Sequence, residues 1–499
     1  MFKKILVANR GEIAVRIIRA ARELGISSVA VFSECDRTAL HVLLADEAYL
    51  LGPSPASQSY QDIDRVIQTA RSCGADAIHP GYGFLAENPE LARQCQQARI
   101  NFIGPSAQTM EQLGDKITAR KTAIKAGIPV VPGTENPLRD EKDVQAVAGK
   151  IGFPILLKAA RGGGGKGMRL VHSADQLSPC FRDTQSEARA AFGDSEVYVE
   201  KYLIGPRHIE FQILADHFGN VIHLGERECS IQRRHQKLVE ESPSPMMTPQ
   251  LRTDMGAAAV RLAVACGYQN AGTIEFLVDS NRHFYFLEVN TRLQVEHPVT
   301  EMVTGLDLVK EQIRIGSGEP LRYQQSDVHL QGSAIECRVY AEDAENQFLP
   351  SPGKIGYLRT PGGPGVRDDS GIYEGWRVPI FYDSLLSKLI TWGTHRDEAI
   401  QRMSRALGEY QVAGIKTTIS FLQSLLQHEE FLAGNLSTDF VSKHYSKEKI
   451  RVEHRTQRDV AAVAAALYFN SKKTLKSKPS VEGESPWKLW GRLNALRNK

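Results

Sequence analysis

Two glutamates and an asparagine, Glu275, Glu288 and Asn290, lie on two neighbouring stretches that alternate like strands. Residues 272–278 and 284–290 are aliphatic and aromatic with a period of two, and residues 279–283 have the composition of a turn. A hairpin with Val278 opposite Tyr285 sets Glu275 opposite Glu288 and puts Phe286, Glu288 and Asn290 on one face. Like charges opposed across two strands, with Cβ atoms about 5 Å apart, destabilise the pair. A hard cation removes that repulsion. Two carboxylates and an amide oxygen form the oxygen-only set that Mg²⁺ or Mn²⁺ takes, above all when phosphates complete the shell. A solvated hairpin with both glutamates facing water is the competing reading.

Phosphate-binding chemistry is present upstream. Residues 154–160 form an apolar strand that carries Lys158 near its end and runs into four consecutive glycines (162–165), Lys166 and Gly167. Backbone N–H groups in such a loop converge on phosphate without side-chain obstruction. No Ser or Thr follows the lysine and a strand (168–171) comes next, so this is not a Walker A loop but a glycine hairpin able to close as a lid. Lys116, on a helix that ends at Gly127, supplies a further cation. Residues 196–203 read as a strand, a hinge-like edge able to meet an adenine, and residues 208–214 as a half-buried strand. Residues 225–237 hold four cations and His235 without aromatic residues between them. That composition disfavours base stacking and suits small anions.

The elements that must position these groups fall into blocks. Residues 4–8, 28–32 and 75–79 are short apolar strands alternating with helices, the first helix marked by Ile13, Ile17, Ala20, Ala21 and Leu24. That alternation predicts a parallel sheet with ligand-binding loops after its strands. No G-x-G-x-x-G occurs at the first turn, so the scaffold is Rossmann-like without a dinucleotide. Helices are expected near residues 306–316. Beyond them residues 332–342, short strands between Pro/Gly turns, and a helix over 397–413 predict an α+β module, mostly antiparallel; Arg338 there shares a strand face with Glu336.

Composition sets the outer bounds. The 499 residues are 42% apolar and 24% charged, with no apolar run long enough to span a bilayer. Seven scattered cysteines, an odd number without close pairs, fit a reducing cytoplasm rather than a disulfide framework. Residues 447–499 hold 13 Lys/Arg against 5 Asp/Glu, so a net of +8 in the tail leaves −5 on the rest of a chain whose total is +3. A mildly acidic body argues against a nucleic-acid footprint.

Several stretches, in order, resemble the biotin carboxylase family of ATP-grasp enzymes: residues 4–14, 79–84, 162–167, 226–237 and 288–301. The resemblance covers roughly residues 1–446 with no departure at the motif positions. It implies an α/β plus α+β fold. Its parts would be an N-terminal Rossmann-like domain (1–114), an ATP-grasp domain (115–330, lid about 131–203), a C-terminal mostly antiparallel domain (331–446) and a basic extension (447–499). It also implies roles. Lys116, Lys158, Gly164 and Gly165 would hold ATP phosphates; Glu200, Lys201 and Leu203 the adenine; His208, Gln232 and His235 the ribose side. Glu275, Glu288 and Asn290 would hold Mg²⁺ or Mn²⁺, with two ions expected. Lys237, Arg292, Gln294 and Val295 would form a bicarbonate pocket, Glu296 would be the general base, and Arg338 would stabilise the biotin oxyanion.

The resemblance further implies a cytoplasmic ligase that carboxylates biotin with ATP and bicarbonate. No Ala-Met-Lys-Met biotin-attachment signature occurs, so the biotin is expected on a separate carrier protein, beside a carboxyltransferase chain, and the family is commonly dimeric. Other ATP-grasp ligases share the lid and metal glutamates but are not expected to share residues 292–297; a non-catalytic ATP-binding scaffold is the rival from another class. The final carboxyl acceptor (acetyl-CoA, pyruvate or another acyl-CoA) is not readable. In the extension, Val460, Val463, Ala464 and Leu467 have helical spacing, and Trp487, Trp490, Leu493 and Leu496 make an apolar stripe beside basic residues. An intersubunit anchor is expected there.

Overall fold

A computed structural model describes residues 1–445 except 135, 137, 139, 160–167, 193 and 194, and beyond 445 only 463, 466 and 467. The glycine run with Gly164 and Gly165, and the expected anchor in the extension, therefore lie outside the described residues.

The first apolar strands form a parallel sheet of β1 (Lys4–Val7), β2 (Ser27–Ser33), β3 (Glu47–Gly52), β4 (Ala77–His79) and β5 (Asn101–Phe102), in the order β3-β2-β1-β4-β5. β1 is central, and the loops following β1 and β4 meet: Asn9 Nδ2 donates to the carbonyls of Pro80 and Tyr82, each at 2.7 Å. The helix Gly11–Glu23 buries Ile13, Ile17, Ala20 and Ala21 in a core that also takes in Leu214, Leu224, Leu293 and Leu308 from later elements.

A small antiparallel sheet follows, of β6 (Ile155–Ala159), β7 (Met168–Val171) and β8 (Val197–Lys201), ordered β7-β6-β8. With the helices Glu141–Ile151 and Leu177–Phe192 it encloses its own core of Val144, Ile155, Leu157, Val171, Phe181 and Val199.

The centre of the molecule is an eight-stranded antiparallel sheet. Its strands are β9 (Arg207–Ala215), β10 (Val221–Arg233), β11 (Gln236–Ser242), β12 (Asn270–Val278), β13 (Phe284–Asn290), β14 (Ser333–Tyr340), β15 (Val366–Ser370) and β16 (Leu385–Gly393). Their order is β13-β12-β9-β10-β11-β14-β16-β15. β11 pairs with β14, Glu241 opposite Ile335, so one sheet runs across residue 331. Helix Pro249–Ala265 packs Met255, Ala259 and Leu262 against Phe211, Ile274 and Phe276 on one face of this sheet.

Two sequence expectations change, and a third stretch is placed. Residues 208–214 are not half-buried: the polar face His208, Glu210, Gln212 is as buried as the apolar one, because it floors an interior site. The stretch 225–237, expected to suit small anions, is the end of β10, a turn and the start of β11, with Arg227 fully buried. The helix expected over 397–413 is Arg396–Glu409, and Gln411–Ala413 is a strand paired with Tyr357–Arg359. All seven cysteines are free. Among the described residues no helix is long and apolar enough to cross a membrane.

Candidate active site

Across four neighbouring strands of the central sheet one transverse row of residues is chargeable throughout. Glu288 on β13 stands opposite Glu275 on β12, Glu275 opposite Glu210 on β9, and Glu210 opposite Arg227 on β10. The first pair is the one expected from sequence, but the ladder reaches it differently. Val278 faces Phe284 and Leu277 faces Tyr285, and a register shift between Phe276 and Glu275 restores the glutamate pair. That bulge also changes faces. Phe286 turns into the apolar core with Val289, so only Glu288 and Asn290 share the face of Glu275, and the expected alignment of Phe286 with them is wrong.

The buried carboxylates of Glu210, Glu275 and nearby Glu296 need compensation, and Lys237 supplies it from β11. Its Nζ donates to Glu210 Oε2 (2.6 Å), Glu275 Oε1 (3.1 Å) and Glu296 Oε1 (2.6 Å). Burial alone disfavours the ammonium, but the three glutamates outweigh it and hold its pKa well above the ordinary lysine value. Glu275 Oε1 also accepts from Asn290 Nδ2 (2.7 Å) and Gln294 Nε2 (2.6 Å), while Oε2 meets His208 Nε2 at 2.7 Å. Burial pushes the Glu275 carboxyl up, yet Lys237 and His208 bring it well below the usual range.

Glu296 sits at the end of the loop that leaves β13, just before helix His297–Thr304. One oxygen takes Lys237 and the other takes Arg338 Nη2 at 2.9 Å. Despite complete burial, Lys237, Arg338 and Arg227 keep it ionised far into acid. Arg338, on β14, is shared with Glu240 rather than with Glu336, the neighbour on its own strand. Burial raises Glu240 to about 7 against the pull of Arg338. Arg292 donates through Nε to Glu87 Oε2 (3.0 Å) and through Nη2 to Asn290 Oδ1 (3.0 Å). The carbonyl of Val295 accepts from Lys388 Nζ at 2.8 Å.

The residues expected around a nucleotide are spread more widely. Lys116 opens helix Lys116–Lys125 and points toward Glu288, Nζ to Oε2 at 3.6 Å. Lys158 pairs with Glu200 across β6 and β8. Lys201 is turned away, its Nζ on the carbonyls of Gly152 (3.0 Å) and Phe153 (2.9 Å), and Leu203 follows half-buried just past β8. His208 lies against Glu275. Gln232 is opposite Lys237 in the β10–β11 ladder, and exposed His235 is in the turn, where Arg234 and His235 both take positive φ (51° and 66°). A two-residue hairpin with both centres left-handed usually takes Asn-Gly. Larger side chains there mark local strain of the kind found at ligand sites.

The donor set fits a hard divalent cation. Among the described residues Glu288 accepts no hydrogen bond and is part-exposed; Glu275 faces it across the ladder and Asn290 follows two residues on along its own strand, its Oδ1 held by Arg292. A second group, His208, Glu210 and Glu275, brings one atom each within 4.8 Å; Lys237 occupies both of its carboxylates, so Glu288 is the open ligand and a cation shared with Glu275 would displace part of the hold of Lys237. Sequence reasoning missed Glu210, Arg227 and Glu240. The legible signal was the period-two run of His208, Glu210 and Gln212 in a strand flanked by apolar strands.

Comparison with known proteins leads to the same place. Residues 1–110 match the biotin carboxylase N-terminal domain, 115–324 the carbamoyl-phosphate synthase L chain ATP-binding domain, and 336–443 the biotin carboxylase C-terminal domain. The chain is 55% identical over 491 residues to a pyruvate carboxylase subunit of Methanothermobacter thermautotrophicus, covering 95% of this chain and all of that one. It is 55% identical over 442 residues to the biotin carboxylase of Nostoc sp., covering 89% and 99%. The biotin carboxylase domain of Hydrogenobacter thermophilus 2-oxoglutarate carboxylase, solved as a dimer with MgADP and bicarbonate, superposes with a TM-score of 0.83 at 48% identity over 89% of this chain and 98% of that one. With these matches and the row of acids beneath Lys237, the chain belongs to the biotin carboxylase family.

Proposed function

We propose that this site uses ATP to carboxylate biotin carried by another protein, with bicarbonate as the carboxyl source. The observation that carries the reading is Glu296, an ionised base whose two oxygens are held by Lys237 and Arg338. Gln294 lies beside them and Arg292 on the same loop. Two cations and amide donors around one carboxylate suit a small planar oxyanion.

In this reading bicarbonate is bound by Lys237, Arg292, Gln294 and the backbone of Val295, and displaces part of the cationic hold on Glu296. Freed of it, Glu296 becomes basic enough to take the bicarbonate proton. The bicarbonate oxygen attacks the γ-phosphorus of ATP, giving carboxyphosphate and ADP. Carboxyphosphate breaks down to CO₂ and phosphate, the phosphate takes the ureido N–H proton of biotin, and the nitrogen adds to CO₂. Arg338 stabilises the oxyanion that develops on the ureido oxygen. Lys116, Lys158 and the glycine loop hold the phosphates; the backbone edge along Glu200, Lys201 and Leu203 meets the adenine, the Lys201 side chain being turned away; His208, Gln232 and His235 hold the ribose side. Glu275, Glu288 and Asn290 would hold Mg²⁺ or Mn²⁺, which supplies neutralisation of phosphate charge when bound.

The domain limits 1–114, 115–330, 331–446 and 447–499 belong to the same proposal, as do a homodimer, a cytoplasmic setting, and a biotin carrier and a carboxyltransferase as partners. The match to a pyruvate carboxylase component, over 95% of this chain, reaches into residues 447–499 and favours a role for that extension in docking a partner protein. The test is ATP cleavage by the purified chain. The reading requires dependence on bicarbonate and stimulation by free biotin. Another ATP-grasp ligase would ignore biotin, and a scaffold would not turn over.

A further inference from the structure

Arg227 is completely buried, yet all five of its N–H groups have acceptors. Nε donates to Glu210 Oε1 (2.5 Å), Nη1 to Gln212 Oε1 (2.7 Å) and Thr300 Oγ1 (3.0 Å), and Nη2 to Thr273 Oγ1 (3.1 Å) and Gln294 Oε1 (2.8 Å). These acceptors come from β9, β12, the loop after β13 and the helix His297–Thr304. Two of them continue into the candidate anion pocket. The second oxygen of Glu210 takes Lys237 Nζ at 2.6 Å, and the amide nitrogen of Gln294 donates to Glu275 Oε1 at 2.6 Å.

We infer that Arg227 is a positioning residue that sets the two groups offered to bicarbonate, the Gln294 amide nitrogen and the Lys237 ammonium, from behind the pocket; this rests on the reading of that pocket given above. The chemistry of the guanidinium makes the orientation one-sided. Arginine carries donors only, so the Gln294 carboxamide must turn its oxygen to Arg227 and its N–H₂ outward. Released from Arg227, the amide could flip and present an acceptor to an anion. Glu210 plays the same part for Lys237: with one oxygen fixed by Arg227, its other oxygen fixes the ammonium. A lysine at 227 would keep the charge but has three donors on a flexible stem, too few and wrongly disposed for five acceptors on four elements.

The experiment uses the full-length chain and steady-state ATP cleavage with bicarbonate varied at saturating ATP, then ATP varied at saturating bicarbonate. For Arg227→Lys the KM for bicarbonate should rise at least about tenfold, the size of one charge-assisted hydrogen bond, with the KM for ATP within about twofold of wild type. In a Gln294→Ala background the same substitution should add little to the bicarbonate KM, since its main lever is gone. A bicarbonate KM that stays at the wild-type value, or effects of the two changes that multiply independently, would overturn the inference. A merely structural arginine would lower Tm and kcat and leave the bicarbonate KM alone. If Arg227→Lys does not fold, Thr273→Val replaces it: loss of one acceptor on Nη2 should raise the bicarbonate KM at least about threefold, and no rise would overturn the inference. Wild-type ATP cleavage that is indifferent to bicarbonate would sink the pocket reading itself. Arg227 alone fails if the wild type requires bicarbonate and the variant binds it normally.

Discussion

Glu275 stands directly across the ladder from Glu288, but the two carboxylates live in opposite surroundings. Glu275 is buried and meets four donors, Lys237, His208, Asn290 and Gln294; Glu288 is part-exposed and, among the described residues, pairs with the Lys116 ammonium alone, 3.6 Å away. The same mutation should therefore do different things on the two strands. Glu288→Gln should abolish metal-dependent turnover while the metal-free Tm holds or rises, because one of two opposed charges is gone. Glu275→Gln should also abolish turnover, yet cost about 3 kcal/mol of stability by leaving Lys237 and His208 short of a counter-charge. Thermal melts without metal, run beside ATP cleavage at low Mg²⁺, check both. Full turnover of Glu288→Gln at low Mg²⁺ would remove it from the metal set.

Glu296→Gln should lower the rate of bicarbonate-dependent ATP cleavage by roughly 10²–10⁴, the usual weight of a general base, whether or not biotin is present. Single-turnover ATP cleavage measures it. A drop smaller than tenfold would mean that some other group takes the proton.

Arg338→Gln should separate the two halves of the reaction. Carboxylation of biotin should fall at least about 10²-fold, the scale of one oxyanion donor, while the slow ATP cleavage seen without biotin should fall much less. Equal loss in both assays would place Arg338 in phosphoryl transfer instead.

Acid should loosen the N-terminal sheet through His41. Burial holds its imidazole down at about 4, with its Nε2 near the carbonyl of Val31. The unfolded chain, with an ordinary pKa near 6.5, then binds more protons between pH 4 and 6.5. Stability is thus fully present above 6.5 and drains away as the pH falls to 4, by up to about 3 kcal/mol. Urea melts across that range should show a shallower slope for His41→Asn than for wild type. Parallel curves would mean that His41 does not carry the effect.

How much was legible beforehand depended on whether the signal was local. Alternation and turn composition were enough to place Glu275 opposite Glu288, although the bulge that turns Phe286 inward is set by packing under the sheet and has no local mark. The strand 208–214 looked half-buried because its even positions are polar; that they face an interior site follows only once β10 and β12 flank it. Arg227 was unreadable for the same reason. In sequence it is one cation of several in a basic run, and its five acceptors lie up to 73 residues away. Motif resemblance supplied Glu296 and Arg338, whose meeting with Lys237 joins three separate parts of the chain.

Removing residues 472–499 should leave carboxylation of free biotin intact and weaken co-purification with the carrier or carboxyltransferase chain. Loss of free-biotin activity would show that the extension completes the body instead.

Transfer of label from bicarbonate to free biotin tests the central claim most directly. The purified chain, given labelled bicarbonate, ATP, Mg²⁺ and biotin, should form acid-labile carboxybiotin with one ADP per label fixed at high biotin, and Glu296→Gln should form almost none. ATP cleavage without labelled biotin, or label fixed equally well by Glu296→Gln, would contradict the account.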